Sequence, residues 1–221
     1  MLQDIITELP ERLILIAFFL GLAFPIHEFA HAAMAVRLGD ATPRLFGRLT
    51  LNPIAHFDRV GGTMLIVSTL LIGLPFGFAQ TPVNPSNLRG GRRAEAYVGA
   101  AGPIANLIIA AGAAIPLRYL LANPDLSAQI PLLEGVLFLI VLYSIFLGLF
   151  NLVPIPPLDG GAILLALVPP MTAWRLRPIL AQYGFLLIIV LFFIPLPGIG
   201  TIGGTVLLPV TYAIVGVLVG S

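Results

Sequence analysis

Two histidines and a glutamate stand close together near the end of the first apolar run, in residues 24–31, F-P-I-H-E-F-A-H. On a helix, His27 and His31 share one face because they are four residues apart. Both imidazoles can then bind one metal ion, and Glu28 can act as a general base on its bound water. An isolated histidine in an apolar helix is usually a packed side chain. Three ionisable groups, however, would each cost roughly 2.5–3.5 kcal/mol at the bilayer centre, so we interpret them as a functional metal site.

A second stretch offers the third ligand that a catalytic zinc ion usually has. The chain contains no cysteine, and Asp159 is the strongest remaining candidate because it lies among prolines and glycines in residues 151–161, N-L-V-P-I-P-P-L-D-G-G. A carboxylate in such an apolar stretch needs a nearby cation. Zinc is one candidate, and Arg175 or Arg177 is the alternative partner. Asn151 opens the stretch, and its amide could donate a hydrogen bond to a developing oxyanion.

The composition indicates the elements that must position these residues. The chain is 58% hydrophobic and only 10% charged, which predicts an integral membrane protein with the lipid bilayer as a partner. A formal net charge of +1 argues against a nucleic-acid partner. We expect one transmembrane domain over residues 1–221, an all-α polytopic bundle of five to six spanning helices. The apolar stretches are 12–36, 61–79, 97–122, 132–155, 178–195 and 201–219.

The second apolar stretch, residues 61–79, lies between two arginine-rich loops, 37–60 and 80–96. A full crossing would place these loops on opposite sides of the membrane, which the positive-inside rule disfavours. We therefore predict a re-entrant segment that dips into the bundle near the metal, with an ordinary spanning helix as the alternative. This topology describes a multi-pass cell-membrane protein whose active site faces the cytoplasmic side.

Three further features lie outside the two main motifs. The alternation from Arg44 to Asn52 predicts a short strand or hairpin, a β-like loop near the active site. His56 ends that loop, where it could orient a ligand from the second shell or lie in a solvated loop. Asn106 is an amide in a helix rich in small residues, and it could hold a neighbouring helix or face the site.

The two main motifs together resemble those of the site-2 protease family of intramembrane zinc metalloproteases. The segments G-R-L-T-L-N-P-x-x-H-x-D, P-V-N-P and A-G-P-x-x-N are similar to those of its short bacterial and archaeal members, which lack PDZ and CBS domains. The resemblance implies one catalytic zinc ion bound by His27, His31 and Asp159. It also implies that Glu28 is the base and that Asn151 assists at the oxyanion.

The same resemblance implies hydrolysis of peptide bonds in transmembrane protein substrates, with residues 80–87 near the substrate path. An extended substrate could pair with Val83 and Asn84 by strand addition. The alternatives are a non-catalytic zinc-binding membrane protein, a pseudoprotease that binds a partner helix, and a zinc transporter. Glu28 beside the first ligand favours a hydrolase, and the grouping of the ionisable residues at one depth disfavours a transporter.

Overall fold

The structure, a computed structural model, describes residues 2–198 and 200–220, and side-chain surroundings from Thr7 onward. The described part is helical and contains no β-strand, only an isolated bridge between Leu196 and Gly200. The helices are α1 (Leu2–Phe18), α2 (Phe24–Arg37), α3 (Thr42–Leu45), α4 (Pro53–His56), α5 (Arg59–Ile72), α6 (Arg92–Leu121), α7 (Pro124–Gln129), α8 (Pro131–Asn151), α9 (Asp159–Leu167), α10 (Pro170–Phe193) and α11 (Ile202–Val219). This confirms the predicted all-α fold.

Five helical segments in the described part are long and apolar enough to cross a membrane: Thr7–Arg37, Arg92–Leu121, Pro131–Asn151, Pro170–Phe193 and Ile202–Val219. The first is α1 and α2 joined by a π-helical turn, Phe19–Ala23. These segments confirm a multi-pass membrane protein. The chain divides into two compact units, Met1–Asn87 and Leu88–Ser221, which are described in turn.

In the first unit, α1 packs against α5. Leu15 and Leu65 are buried among the core residues of this unit. The buried Arg12 pairs with Glu8 at 2.7 Å and donates a hydrogen bond of 2.6 Å to the Leu70 carbonyl in the last turn of α5. A cation at a helix C-terminus interacts favourably with the helix dipole and with the unpaired carbonyls. Arg12 therefore ties the two helices together.

Helix α5 and the chain after it form a hairpin. The helix has 14 residues, about 21 Å of rise, which is shorter than the roughly 30 Å hydrocarbon core. Gly73 ends it with a left-handed φ of 71°, and the chain then returns along the helix. The Ser68 hydroxyl bonds the Phe76 backbone at 3.0 and 3.1 Å, and Gly61 lies against the Phe78 carbonyl. The chain thus comes back to the N-terminal end of α5, as the predicted re-entrant segment requires.

The predicted strand or hairpin over residues 44–52 is wrong. The one-turn helices α3 and α4 flank this region, and each has a proline in its first turn, where the missing N–H costs nothing. Asn52 caps α4 by accepting the Ile54 N–H at 3.1 Å. The alternation that suggested a strand therefore falls on helical turns and an irregular connection.

In the second unit, α6, α8 and α11 share a core. Its buried residues are Ala110, Ala114, Leu117, Val141, Ile145, Val215 and Val219. Many are small, and Gly148 of α8 lies against the Pro103 carbonyl of α6, so the helix axes come close. Helix α9 also packs on α6. The sequence did not predict α9, because the prolines and glycines of residues 154–161 favour a turn.

Candidate metal centre

A π-helical turn precedes the helix that carries both histidines. Pro25 has no N–H, and its ring would clash with the carbonyl four residues earlier in a regular α-helix. The wider turn at Phe19–Ala23 avoids this problem, and the Phe24 N–H bonds to the Phe19 carbonyl, five residues back. Such single π turns often occur at functional sites. The turn lets the helix continue through Pro25 to His27.

His27 and His31 lie side by side on α2, as their spacing predicts. Both are buried, at 6% and 7% exposure, and their Nε2 atoms are 3.0 Å apart. The two rings meet at 78°, with 4.7 Å between their centroids. Two nitrogens that each bind one zinc ion at about 2.0–2.1 Å cannot be more than about 4.2 Å apart. The pair therefore fits a shared metal ion.

Glu28 is buried beside the histidines, with 5% exposure. Its Oε2 atom is buried and accepts no hydrogen bond within the described part of the chain. A buried carboxylate oxygen without such a bond is unfavourable unless water, a cation or a ligand reaches it. The Glu28 backbone carbonyl accepts a bond of 3.1 Å from the Thr81 hydroxyl. The backbone of Glu28 is thus held by a hydrogen bond, whereas its side-chain Oε2 atom accepts none from the described chain.

Asp159 begins α9 in the second unit and is half-buried, with one carboxylate oxygen inaccessible to solvent. The next two residues are glycines for a steric reason. A Cβ on Gly160 would overlap the Leu152 carbonyl, and one on Gly161 would overlap Pro156. On the other side, Gly99 of α6 lies against the Asp159 carbonyl. The backbone therefore passes close to its neighbours at these glycines.

Arg177, one of the two arginines considered as a partner of Asp159, contacts Glu95 at 3.4 Å within the second unit. Asn151 is the last residue of α8, and its Nδ2 donates to the Leu147 carbonyl at 3.0 Å. The amide has a second hydrogen, so its role at the oxyanion stays a prediction.

The remaining predicted positions have mixed outcomes. His56 is 1% exposed, which rules out the solvated-loop alternative, and its Nε2 lies 2.6 Å from the Thr50 carbonyl, closing the loop. Its second-shell role stays a prediction. Asn106 is fully buried within α6. Asn84 uses its backbone N–H in a 2.7 Å bond to Asp40, so that amide is not available for strand addition.

Asp40 is the residue that sequence reasoning missed. It is fully buried just beyond α2 and accepts hydrogen bonds from Thr42, Asn84 and Asn87. Burial raises the pKa of Asp40, but these bonds together outweigh that effect, and the pKa is lowered. The signal in the sequence was weak, because two of its partners are 44 and 47 residues away.

These observations define a class: a polytopic membrane protein that carries a buried two-histidine metal motif with an adjacent carboxylate. Residues 121–194 match the model of a known family, "Peptidase family M50". The Bacillus subtilis protein named "Putative zinc metalloprotease YwhC" is 37% identical over 177 residues, which is 79% of this chain and 78% of the relative. The chain belongs to peptidase family M50, the site-2 protease family.

The chain is also similar to longer proteins that carry zinc metalloprotease names. The Mycolicibacterium smegmatis protein named "Putative zinc metalloprotease Rip2" is 35% identical over 173 residues, which is 77% of this chain but 63% of the relative. The Rip2 protein of Mycobacterium tuberculosis is 36% identical over the same length. No solved structure matches significantly. The names of these relatives agree with zinc as the predicted cofactor of the family.

Proposed function

We propose that this protein is an intramembrane zinc metalloprotease that hydrolyses peptide bonds of transmembrane substrates. The observation that carries the proposal is the buried group on α2. Two Nε2 atoms lie 3.0 Å apart, and a buried carboxylate oxygen of the adjacent Glu28 has no hydrogen bond in the described chain. A protein that only stored zinc would not need that carboxylate.

In this proposal His27 and His31 hold the metal through Nε2. When bound, zinc acts as a Lewis acid and lowers the pKa of water towards about 7. Glu28 accepts the proton of the attacking water and later delivers it to the leaving amine nitrogen. The second Nδ2 hydrogen of Asn151 donates to the substrate carbonyl oxygen as that oxygen gains negative charge.

Asp159 is proposed as the third ligand. Its support is chemical: it is half-buried in an apolar stretch rich in proline and glycine, where a carboxylate needs a nearby cation. One carboxylate and two imidazoles form a donor set typical of catalytic zinc, with a fourth position left for water. The two glycines after Asp159 allow its backbone to pack closely against Leu152 and Pro156.

The substrate is proposed to bind along residues 81–87 in an extended form, because a helical substrate hides its peptide bonds in its own hydrogen bonds. Pro82 and Pro85 have no N–H, and the N–H of Asn84 is bound to Asp40. Among residues 82–85, the backbone N–H of Val83 is therefore the one that is proposed to pair with a substrate. We place the site towards the cytoplasm, because the arginine-rich loops 37–60 and 80–96 favour that side.

Purified protein in detergent tests this function. We expect it to bind one zinc ion and to cleave a generic single-span substrate. Glu28→Gln should reduce cleavage by about 10²–10⁴-fold, because the general base is lost, while zinc content stays the same. Glu11→Gln, an exposed position of α1, is the matched control and should cleave like wild type. Equal cleavage by wild type and Glu28→Gln would refute the proposal and favour a non-catalytic zinc-binding protein.

A further inference from the structure

Asp40 has a fully buried carboxylate, and its hydrogen-bond donors are residues of the first unit. Oδ1 accepts the Thr42 N–H at 3.0 Å, the Thr42 hydroxyl at 2.6 Å and the Asn87 side-chain amide at 3.0 Å. Oδ2 accepts the Asn84 N–H at 2.7 Å. A buried carboxylate is costly unless it is well satisfied, and these four donors satisfy it. Asp40 therefore joins the end of α2 to residues 84–87.

The other end of the same segment is also attached to α2. The buried Thr81 hydroxyl donates to the Glu28 carbonyl at 3.1 Å. Between the two attachments, Pro82 and Pro85 fix their own φ angles and restrict the residues before them. The segment 81–87 is thus a short, stiff strap with one end at Glu28 and the other at Asp40.

We propose that Asp40 is a positioning residue for substrate binding, which holds residues 84–87 at a fixed place along the helix of Glu28. This inference rests on the proposed proteolytic function. In the described part of the chain, Asp40 makes no hydrogen bond to His27, Glu28 or His31. Its role is to keep Val83 and its neighbours in the extended form that a substrate strand would meet, so that binding does not have to order the segment first.

Asp40→Asn is the informative change because it keeps the size of the side chain. An amide nitrogen donates and cannot accept. Whichever oxygen it replaces, either the Asn84 N–H or the Thr42 and Asn87 donors lose their acceptor. A lost hydrogen bond to a charged group corresponds to about a tenfold change or more in an equilibrium. We therefore expect KM to rise about tenfold.

The experiment compares wild type, Asp40→Asn, Asn87→Ala, the double variant Asp40→Asn/Asn87→Ala and Asp58→Asn in detergent. Each is assayed for kcat and KM on a single-span substrate, for zinc content, and for hydrogen exchange of the backbone. Asp58 is the matched control: it is a carboxylate of the same unit that accepts the N–H groups of Val60 and Gly61 and has no hydrogen bond to the described strap. Asn87 is exposed, so its variant should fold even if Asp40→Asn does not.

For Asp40→Asn we expect faster exchange at residues 83–87, a raised KM, a kcat within about twofold of wild type, and full zinc content. Asn87→Ala should show the same changes to a smaller extent, and the double variant should show less than the product of the two effects, because both act through one contact. Asp58→Asn should leave KM and the exchange of the strap unchanged.

Unchanged exchange of the strap, or faster exchange without a change in KM, would overturn the inference. Loss of zinc together with kcat would also overturn it, because Asp40 would then support the metal site and not the substrate. The proposed function fails separately, through absent cleavage by wild type or equal cleavage by Glu28→Gln. Hydrogen exchange measures whether Asp40 holds the strap, whether or not the protein cleaves a substrate.

Discussion

Two buried carboxylates of the first unit have opposite surroundings. Glu28 has a buried oxygen that accepts no hydrogen bond in the described chain, whereas Asp40 accepts four. The bonds to Asp40 lower its pKa, so its contribution to folding is present above the unfolded pKa of about 3.9 and is lost as the pH falls through the folded value. Asp40 is therefore suited to a permanent structural charge, whereas Glu28 is the proposed general base.

Removal of the charge at Asp159 tests the proposed ligand set. We expect Asp159→Asn to lower zinc affinity at least tenfold, because an amide oxygen is a weaker zinc ligand than a carboxylate. Zinc release to a chelator during a titration measures the effect. Asp125→Asn, on the exposed helix α7, is the control. Wild-type affinity in Asp159→Asn would remove Asp159 from the metal site.

The residues of the site differ in how visible they are in the sequence. His27, Glu28 and His31 are visible because one helical turn brings them together. Asp40 is not, because its function depends on contacts with residues more than 40 positions away. The position of Asn84 in the substrate path was predicted, but the use of its N–H by Asp40 could not be read from the sequence.

At the scale of elements, hydropathy located the five helical segments of the described chain that can cross the membrane. It did not predict breaks, turns or short helices within and between the apolar stretches. The stretch 61–79 has the composition of a spanning helix, and only the charges of the flanking loops indicated a return. The structure ends α5 at Ile72 and brings the chain back beside it. The π-helical turn at Phe19–Ala23 and the short α9 leave no pattern in hydropathy, because both depend on local backbone geometry.

A glycine at a close contact should respond differently from a glycine on an open helix face. Gly160→Ala would place a methyl group against the Leu152 carbonyl, and we expect a loss of about 1–3 kcal/mol in stability. Gly112→Ala has no atom within 4 Å of the new methyl group and should be neutral or gain up to about 1 kcal/mol. Thermal unfolding of the metal-free proteins in detergent measures both. Equal shifts would contradict the packing described for Gly160.

At the scale of the whole molecule, the natural lack of cysteine allows a direct test of topology. Helix α6 separates Ser86 from Gln129 and is long enough to span, so the two residues should face opposite sides. Arginines at positions 89, 92 and 93 favour the cytoplasm for Ser86. In intact cells, an impermeant maleimide should label Gln129→Cys and should label Ser86→Cys only after permeabilisation.

Labelling of both variants from outside would contradict the span of α6. Labelling of Ser86→Cys alone would contradict the re-entrant hairpin or the orientation of the chain. Neither outcome depends on enzymatic activity. The prediction that residues 1–221 form one transmembrane domain is separate from this test and stays a prediction.

The hairpin of α5 also determines whether the number of membrane crossings is odd or even. If it returns to the side from which it entered, as we predict, it adds no crossing. The five segments of the described chain that are long and apolar enough to span would then give an odd number of crossings. On this prediction, the first spanning helix begins and the last one ends on opposite faces of the membrane. If α5 were long enough to cross, every later residue would lie on the opposite side of the membrane. The length of this 14-residue helix therefore decides on which side the last helix ends.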